Sequence, residues 1–294
     1  MSKQKILILG VTGMLGHMLF KNLLASGHSE VYGTARSVSG LDRFFTGDEQ
    51  RFILPTVDAD NFDTIIKALA SVRPDIVINC IGLIKQLPNG NDPLTAITIN
   101  ARLPHRISLI CSAVNARLIH FSTDCVFDGH AGMYTESDIP SPADLYGRTK
   151  LLGELTYPHC VTLRTSIIGH ELKDKFGLVE WFLSQKDTVR GYNRAIYSGF
   201  PTVELAKIIE EYVLPDKDLS GIYHVSSEPI SKYDLLHIIK RLYNVVTTIE
   251  PSDDFLCDRS LDSGRFRKLT GYTPPDWHAL IAAMHEDFVI KYRK

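Results

Sequence analysis

The turn Gly10-Val11-Thr12-Gly13-Met14-Leu15-Gly16 falls between an apolar run, Ile6-Leu7-Ile8-Leu9, and a segment of helical spacing from about Gly13 to Ser26. It restricts the fold more than any other stretch. Glycines at these positions let the chain reverse tightly, bring backbone N–H groups up to a pyrophosphate and pack helix against strand. The helix N-terminus adds partial positive charge facing the phosphates. Strand, turn and helix together make Gly10, Thr12, Gly13, Met14, Leu15 and Gly16 the candidate cradle of a dinucleotide, with a ligand-free tight turn as the plain alternative.

The rhythm continues downstream. Glu30-Val31-Tyr32-Gly33 supplies a second strand; Asp60-Asn61 caps a helix over Phe62–Val72; Asp75–Cys80 reads as a buried parallel strand. Asn91-Asp92-Pro93 starts a long helix with proline at its first position, Arg117–Phe121 is another strand, and a helix around Tyr146–Thr156 leads to the strand Cys160–Thr165. Strands separated by crossover helices describe an α/β fold, a doubly wound parallel Rossmann sheet, over residues 1–166. Beyond it the elements shorten: helices at Val203–Val213, Lys232–Tyr243 and Asp276–Ile290, and a strand at Ile222–Val225. Residues 167–294 are therefore expected to form a smaller α+β part that shapes the substrate site. The boundary is approximate, because no linker marks it and the chain is expected to pass between the two.

The 32 basic and 34 acidic side chains nearly cancel, so no overall field draws the chain to nucleic acid or to a membrane. A small neutral or anionic ligand fits better. The five cysteines include no C-x-x-C pair, and Cys80, Cys111 and Cys160 lie in apolar runs typical of reduced core thiols. The expected compartment is the cytoplasm. No His-Glu-x-x-His pair and no zinc-type cysteine spacing occur, so no metal site is expected, and no Gly-x-Ser-x-Gly elbow suggests a hydrolase.

Where a dinucleotide-binding sheet often carries a carboxylate for the ribose 2′-hydroxyl, this chain has Gly33-Thr34-Ala35-Arg36-Ser37. Arg36 can fork onto a 2′-phosphate and Ser37 can add a donor, which favours NADP(H) and leaves NAD(H) open. Tyr146 and Lys150 stand at i and i+4 on one helix face, where an ammonium can lower the phenol toward a working pH. Upstream, Ser122-Thr123-Asp124 begins at the carboxyl end of a strand, the edge where open α/β sheets bind ligands. Thr123 or Ser122 can donate to a carbonyl oxygen as it gains charge. An exposed helix pair and a hydroxyl-stabilised turn are the plain alternatives for these two motifs.

Phe121-Ser122-Thr123-Asp124-Cys125-Val126-Phe127-Asp128-Gly129, followed by Tyr134-Thr135-Glu136 and Pro142–Glu154, resembles the extended short-chain dehydrogenase/reductase superfamily. Within it the chain resembles the dTDP-4-dehydrorhamnose reductase family. The resemblance implies that Tyr146 donates the proton, Lys150 binds the nicotinamide ribose and tunes the tyrosine, Thr123 polarises the ketone, and Asp124 contacts the sugar. Asn79-Cys80-Ile81-Gly82 resembles the family's Asn-Ala-Ala-Gly-like segment, which lines the cofactor, and Asn100 resembles an asparagine of the superfamily's proton relay. The implied reaction is NADPH-dependent reduction of the 4-keto group of a nucleoside-diphosphate deoxysugar, in surface polysaccharide biosynthesis; a homodimer is compatible with it.

Ile167-Ile168-Gly169-His170 departs from the family, whose members usually carry an aromatic after Arg-Thr-Ser and then Tyr-Gly; this puts the rhamnose precursor itself in question. Lys85-Gln86 and Asn193-Arg194 lie in loops expected to face substrate. A second reading stays open: the methionine adenosyltransferase beta subunit, a non-catalytic regulatory protein, resembles the same family and keeps a similar Tyr-x-x-x-Lys segment.

Overall fold

The computed structural model describes residues 3–87, 89–173 and 175–292. Seven strands form one parallel sheet: β1 (Lys5–Leu9), β2 (Glu30–Thr34), β3 (Ile53–Leu54), β4 (Ile76–Asn79), β5 (Arg117–Thr123), β6 (Cys160–Thr165) and β7 (Gly221–His224). Their spatial order is β7-β6-β5-β4-β1-β2-β3. This is the Rossmann-type sheet read from the sequence. β1 pairs with β2 on one side and β4 on the other, so chain order reverses there and a crevice opens beyond the carboxyl ends of β1 and β4.

Burial on both faces explains why β1 is continuously apolar. Ile6 and Ile8 pack into one core with Leu15, Leu19 and Phe20 of α1 (Met14–Ser26); Leu7 and Leu9 face a second core with Ile65 and Leu69 of α2 (Phe62–Val72). Fully burying one such side chain contributes about 1.5–3 kcal/mol.

Local differences from the sequence reading have identifiable causes. Asn61 makes no side-chain cap to α2; instead Thr64 Oγ1 donates to the Asn61 carbonyl at 2.6 Å. Asp92 does cap, accepting from Thr95 N–H at 2.8 Å with Pro93 following. The long helix is built from α3 (Pro93–Ala96), a π-helical segment (Ile97–Arg102) and α4 (Leu103–Ala113). The helix expected around Tyr146–Thr156 is shorter: α5 spans Leu145–Leu152 and stops at Gly153. A Cβ at Gly153 would lie 1.9 Å from the Asn100 carbonyl oxygen, so close packing on the π-helical segment ends it.

After β6 the chain leaves the sheet through short strands and α6 (Thr202–Ile208), returns as β7, then leaves again through α7 (Lys232–Tyr243) to the final helix, α8 (Trp277–Tyr292). Among the described residues no helix is long and apolar enough to cross a membrane.

Candidate active site

The glycine turn caps the carboxyl end of β1. Gly10 has φ +86°, a backbone conformation disfavoured for other residues, and its N–H donates to Thr34 Oγ1 at 3.1 Å, tying the turn to β2. A Cβ at Gly16 would stand 2.1 Å from the Gly10 carbonyl oxygen, so only glycine allows α1 this close to the turn. Gly13 begins α1 without a side-chain cap, and the first turn carries no carboxylate. Thr12, Gly13 and Met14 reach the surface, whereas Leu15 points into the core. An uncapped helix start over a glycine turn fits a pyrophosphate.

Across the crevice, Asn79 is buried: its Oδ1 accepts from Ile81 N–H at 3.1 Å and its Nδ2 donates to His120 Nδ1 at 3.2 Å. Its amide shapes the segment, while Cys80 and Ile81 are half-buried and Gly82 exposed. Asn100 is similarly committed, with Oδ1 accepting from Leu83 N–H at 2.8 Å and Nδ2 donating to the Leu83 carbonyl at 2.9 Å. Arg36 and Ser37 are exposed beyond β2. Ser37 Oγ accepts from Ser39 N–H, and the following residues line a cleft of about 400 Å³ that includes Ser39, Arg43 and Lys173.

At the carboxyl end of β5 the serine and threonine part company. Ser122 Oγ donates to Glu154 Oε1 at 2.6 Å, away from the site. Thr123 Oγ1 donates to Asp124 Oδ1 at 3.0 Å, accepts from Cys125 N–H at 3.2 Å, and stands near enough to the Tyr146 phenol to favour its ionised form. Of the two candidate hydroxyls, Thr123 is the one beside the tyrosine.

The approach of α5 makes that meeting possible. A Cβ at Gly147 would sit 2.1 Å from the Cys125 carbonyl oxygen, so a glycine next to Tyr146 lets the helix start press onto the loop after β5. Asp144 caps it, with Oδ1 accepting from Gly147 N–H at 2.8 Å, and pairs with Lys85 at 3.5 Å. Lys85 thus borders the site, while the Asn193 amide donates to Asp253 at an exposed position. The one sequence hint of this packing was a glycine inside a helical pattern, where it costs about 1 kcal/mol relative to alanine.

The electrostatics differ from the sequence expectation. Burial, then Cys125, Asp124 and Asp144, hold the Tyr146 phenol above its ordinary range, opposed by the Thr123 hydroxyl. Lys150 is 6% exposed, and its Nζ donates to the Phe121 carbonyl at 2.6 Å. Burial pulls it down to about 8, with Glu154 opposing. The phenol is therefore kept protonated rather than drawn toward phenolate, because desolvation of the anion and the neighbouring anionic groups outweigh the Thr123 hydroxyl. Burial also raises the Asp124 carboxyl against the pull of Thr123 and Arg259.

Arg259 escaped the sequence reading. It comes from the C-terminal part, donates from Nε to the Phe127 carbonyl at 3.0 Å and places Nη1 3.7 Å from Cys125 Sγ. No local motif announces it. Among the described residues no cluster of histidine, cysteine and carboxylate side chains suits a metal ion.

The chain matches the family model described as the RmlD substrate binding domain over residues 4–289. It is 30% identical over 234 residues to the probable low-salt glycan biosynthesis reductase Agl14 of Haloferax volcanii, covering 75% of this chain and 74% of that protein. It is 28% identical over 298 residues to the dTDP-4-dehydrorhamnose reductase of Aggregatibacter actinomycetemcomitans, with 93% and 95% covered. Identity to methionine adenosyltransferase 2 subunit beta of Rattus norvegicus is 25% over 260 residues, covering 82% and 73%. The crystal structure of a hypothetical dTDP-4-dehydrorhamnose reductase from Sulfolobus tokodaii superposes with TM-score 0.76 at 29% identity, over 93% of this chain and 98% of that one. The Bacillus anthracis dTDP-4-dehydrorhamnose reductase in complex with NADP shares the fold, with TM-score 0.79 at 21% identity over 98% and 99%.

Proposed function

The chain belongs to the RmlD substrate binding domain family, and from that premise we propose that it reduces the 4-keto group of a nucleoside-diphosphate deoxysugar with NADPH, in the cytoplasm, for glycan assembly. The observation that carries this reading is the meeting of Thr123 and Tyr146 at the carboxyl edge of the sheet, with Lys150 one helical turn away. All five cysteines are free, in keeping with a reducing compartment.

Residues 1–166 would hold the cofactor and residues 167–294 shape the sugar site, with Arg259 reaching back from the latter to the loop after β5. Gly10, Thr12, Gly13, Met14, Leu15 and Gly16 would cradle the pyrophosphate, Cys80, Ile81 and Gly82 would line the nicotinamide half, and Lys150 would reach the ribose. Bound there, the nicotinamide supplies the two-electron reducing equivalent that the carbonyl carbon takes up.

The protein's own task is the proton. A phenol held above its usual range carries its proton at neutral pH, so Tyr146 starts the reaction loaded as an acid. As charge grows on the carbonyl oxygen, the Tyr146 hydroxyl is the donor placed to meet it, joined by the Thr123 hydroxyl when it turns from Asp124. When Tyr146 gives up its proton, the Lys150 ammonium, one helical turn away, would favour the phenolate left behind. Asp124, beside Thr123, is positioned to accept from a sugar hydroxyl.

Arg36 favours NADPH. Arg36→Ala is expected to weaken NADPH at least about tenfold more than NADH, since a charge-assisted bond to phosphate is worth ~1.5–3 kcal/mol. Fluorescence titration of both cofactors measures this; equal losses would remove the 2′-phosphate from this loop.

The function itself is tested by following NADPH absorbance across a panel of nucleotide 4-ketosugars, with Tyr146→Phe alongside. Faster consumption by the wild type on at least one compound supports the reductase. The identity to an adenosyltransferase beta subunit favours a second, regulatory reading. Equal, slow consumption everywhere, together with a stable complex with an adenosyltransferase, would support that reading instead.

A further inference from the structure

The stretch Ile167-Ile168-Gly169-His170 departs from the family pattern, and the proposed reaction leaves it unused. In the structure it roots a loop. Ile167 and Ile168 pair in parallel with Phe200 and Pro201, and His170 is then held on three sides. Its Nδ1 donates to Glu180 Oε1, its Nε2 meets the Tyr243 hydroxyl at 2.8 Å, and its ring stacks on Phe288 of α8 with centroids 3.9 Å apart. At the far end of the loop, Gly177 N–H donates to Glu171 Oε2 at 2.7 Å, which closes the segment on itself.

The closed loop lies against the glycine turn. A Cβ on Gly177 would stand 2.8 Å from Met14 Cε, so this glycine lets the loop settle beside the first residue of α1. Its outer part faces the segment after β2: Leu172 and Lys173 form one wall of the cleft of about 400 Å³, and Ser39, Gly40, Arg43 and Phe44 form the other. That second wall is rooted as well. Leu41 is fully buried, and Phe45 packs edge-on against Phe20 of α1 with centroids 5.8 Å apart. Two anchored segments remote in sequence therefore each bring a cation to one opening.

Among the described residues neither Arg43 nor Lys173 is in an ion pair, and none of those lining the cleft is a carboxylate. Of the nearby acidic side chains, Glu171 is committed to Gly177 N–H and Asp42 is exposed. An opening with two cations and no lining anion suits a phosphate, Lys173 as a mobile point charge and Arg43 as a fork. Its position identifies the phosphate. Ser39 N–H donates to Ser37 Oγ at 3.1 Å, so the cleft adjoins the loop of Arg36 and Ser37 on one side and the Met14 end of the pyrophosphate turn on the other. We propose that Lys173 and Arg43 hold the 2′-phosphate of NADPH from the two walls of this cleft, so that the loop rooted on His170 supplies part of the cofactor specificity.

The assignment rests on the NADPH-binding part of the proposed function and is tested by affinity, which needs no turnover. In calorimetric titrations, Lys173→Ala and Arg43→Ala should each weaken NADPH and 2′,5′-ADP about tenfold while leaving NADH and 5′-ADP as they are. Lys173→Glu should lose more than Lys173→Ala, because it sets a like charge against the phosphate. Both side chains are exposed, so Tm should hold in every variant. Lys175→Ala is the matched control, an exposed lysine of the same loop outside the cleft, and should bind all four nucleotides as the wild type does. Equal losses for NADPH and NADH, wild-type affinity in either cation's variant, or a wild type that does not bind 2′,5′-ADP would each overturn the proposal. Any of these in a protein whose ketosugar reduction depends on Tyr146 leaves the reductase reading standing without it. Selective loss of 2′,5′-ADP in a protein that reduces no ketosugar upholds the proposal and removes the reductase reading instead.

Discussion

Tyr146→Phe is expected to lower kcat for ketosugar reduction by about two to four orders of magnitude with NADPH affinity unchanged. The ring stays in place, so the packing that brings α5 onto the loop after β5 is retained, including the close approach of Gly147 to the Cys125 carbonyl. Only the hydroxyl is lost, and with it both the transferable proton and one of two donors facing the developing oxyanion. Since burial and the neighbouring Cys125, Asp124 and Asp144 raise the phenol, its protonated form persists through neutral pH. The wild-type reduction rate should therefore show no loss from tyrosine ionisation even toward pH 10, where an ordinary phenol of pKa ~10 ionises. A basic decline at lower pH is expected from Lys150, which burial pulls down to about 8. Stopped-flow absorbance of NADPH over that range separates the two. A phenylalanine variant as fast as the wild type would place the acid elsewhere, with Asp124 as the next residue to replace.

The second large effect is expected at the cofactor turn. Gly16→Ala should weaken NADPH binding by about a hundredfold or more, equivalent to ~2.7 kcal/mol. The added Cβ would meet the Gly10 carbonyl oxygen at 2.1 Å and its carbon at 2.9 Å. These are backbone atoms and cannot swing aside, so α1 or the turn must move, and overpacking of this kind costs ~1–3 kcal/mol in stability. Gly47→Ala is the matched control, because a Cβ there meets nothing within 4 Å. It should leave both Tm and NADPH affinity as they are. Gly16→Ala that keeps wild-type affinity would mean that the dinucleotide does not lie on this turn.

The sheet was largely legible because its signals are local. Continuous burial of β1 on two faces shows as an unbroken apolar run, and glycines at fixed offsets mark the turn after it. The C-terminal part was less legible. The strand read at Ile222–Val225 is present as β7, but nothing in its residues announces that it pairs with β6, almost sixty residues earlier. Helix limits also depended on distant contacts. α5 ends at Leu152 because Gly153 is pressed against Asn100, a contact between segments more than fifty residues apart. In the candidate site, Tyr146 and Lys150 could be named from their spacing, and Ser122 or Thr123 from the strand end, whereas Arg259 could not, since it reaches the loop after β5 from a segment with no motif of its own.

The order of residues alone determined which groups are available: a phenol and an ammonium one helical turn apart, hydroxyls at a strand end, and glycines where a phosphate can approach. Covalent geometry and helical periodicity fix such relations over a few residues. Folding decided how those groups are used. It sent Ser122 to Glu154 and Thr123 to Asp124 beside Tyr146, turned the Lys150 ammonium onto the Phe121 carbonyl, and raised the phenol that its lysine was expected to lower. The reason is that desolvation and charge–charge distance arise from the convergence of chain segments remote in sequence, and the burial they create outweighs the influence of a neighbour four residues away.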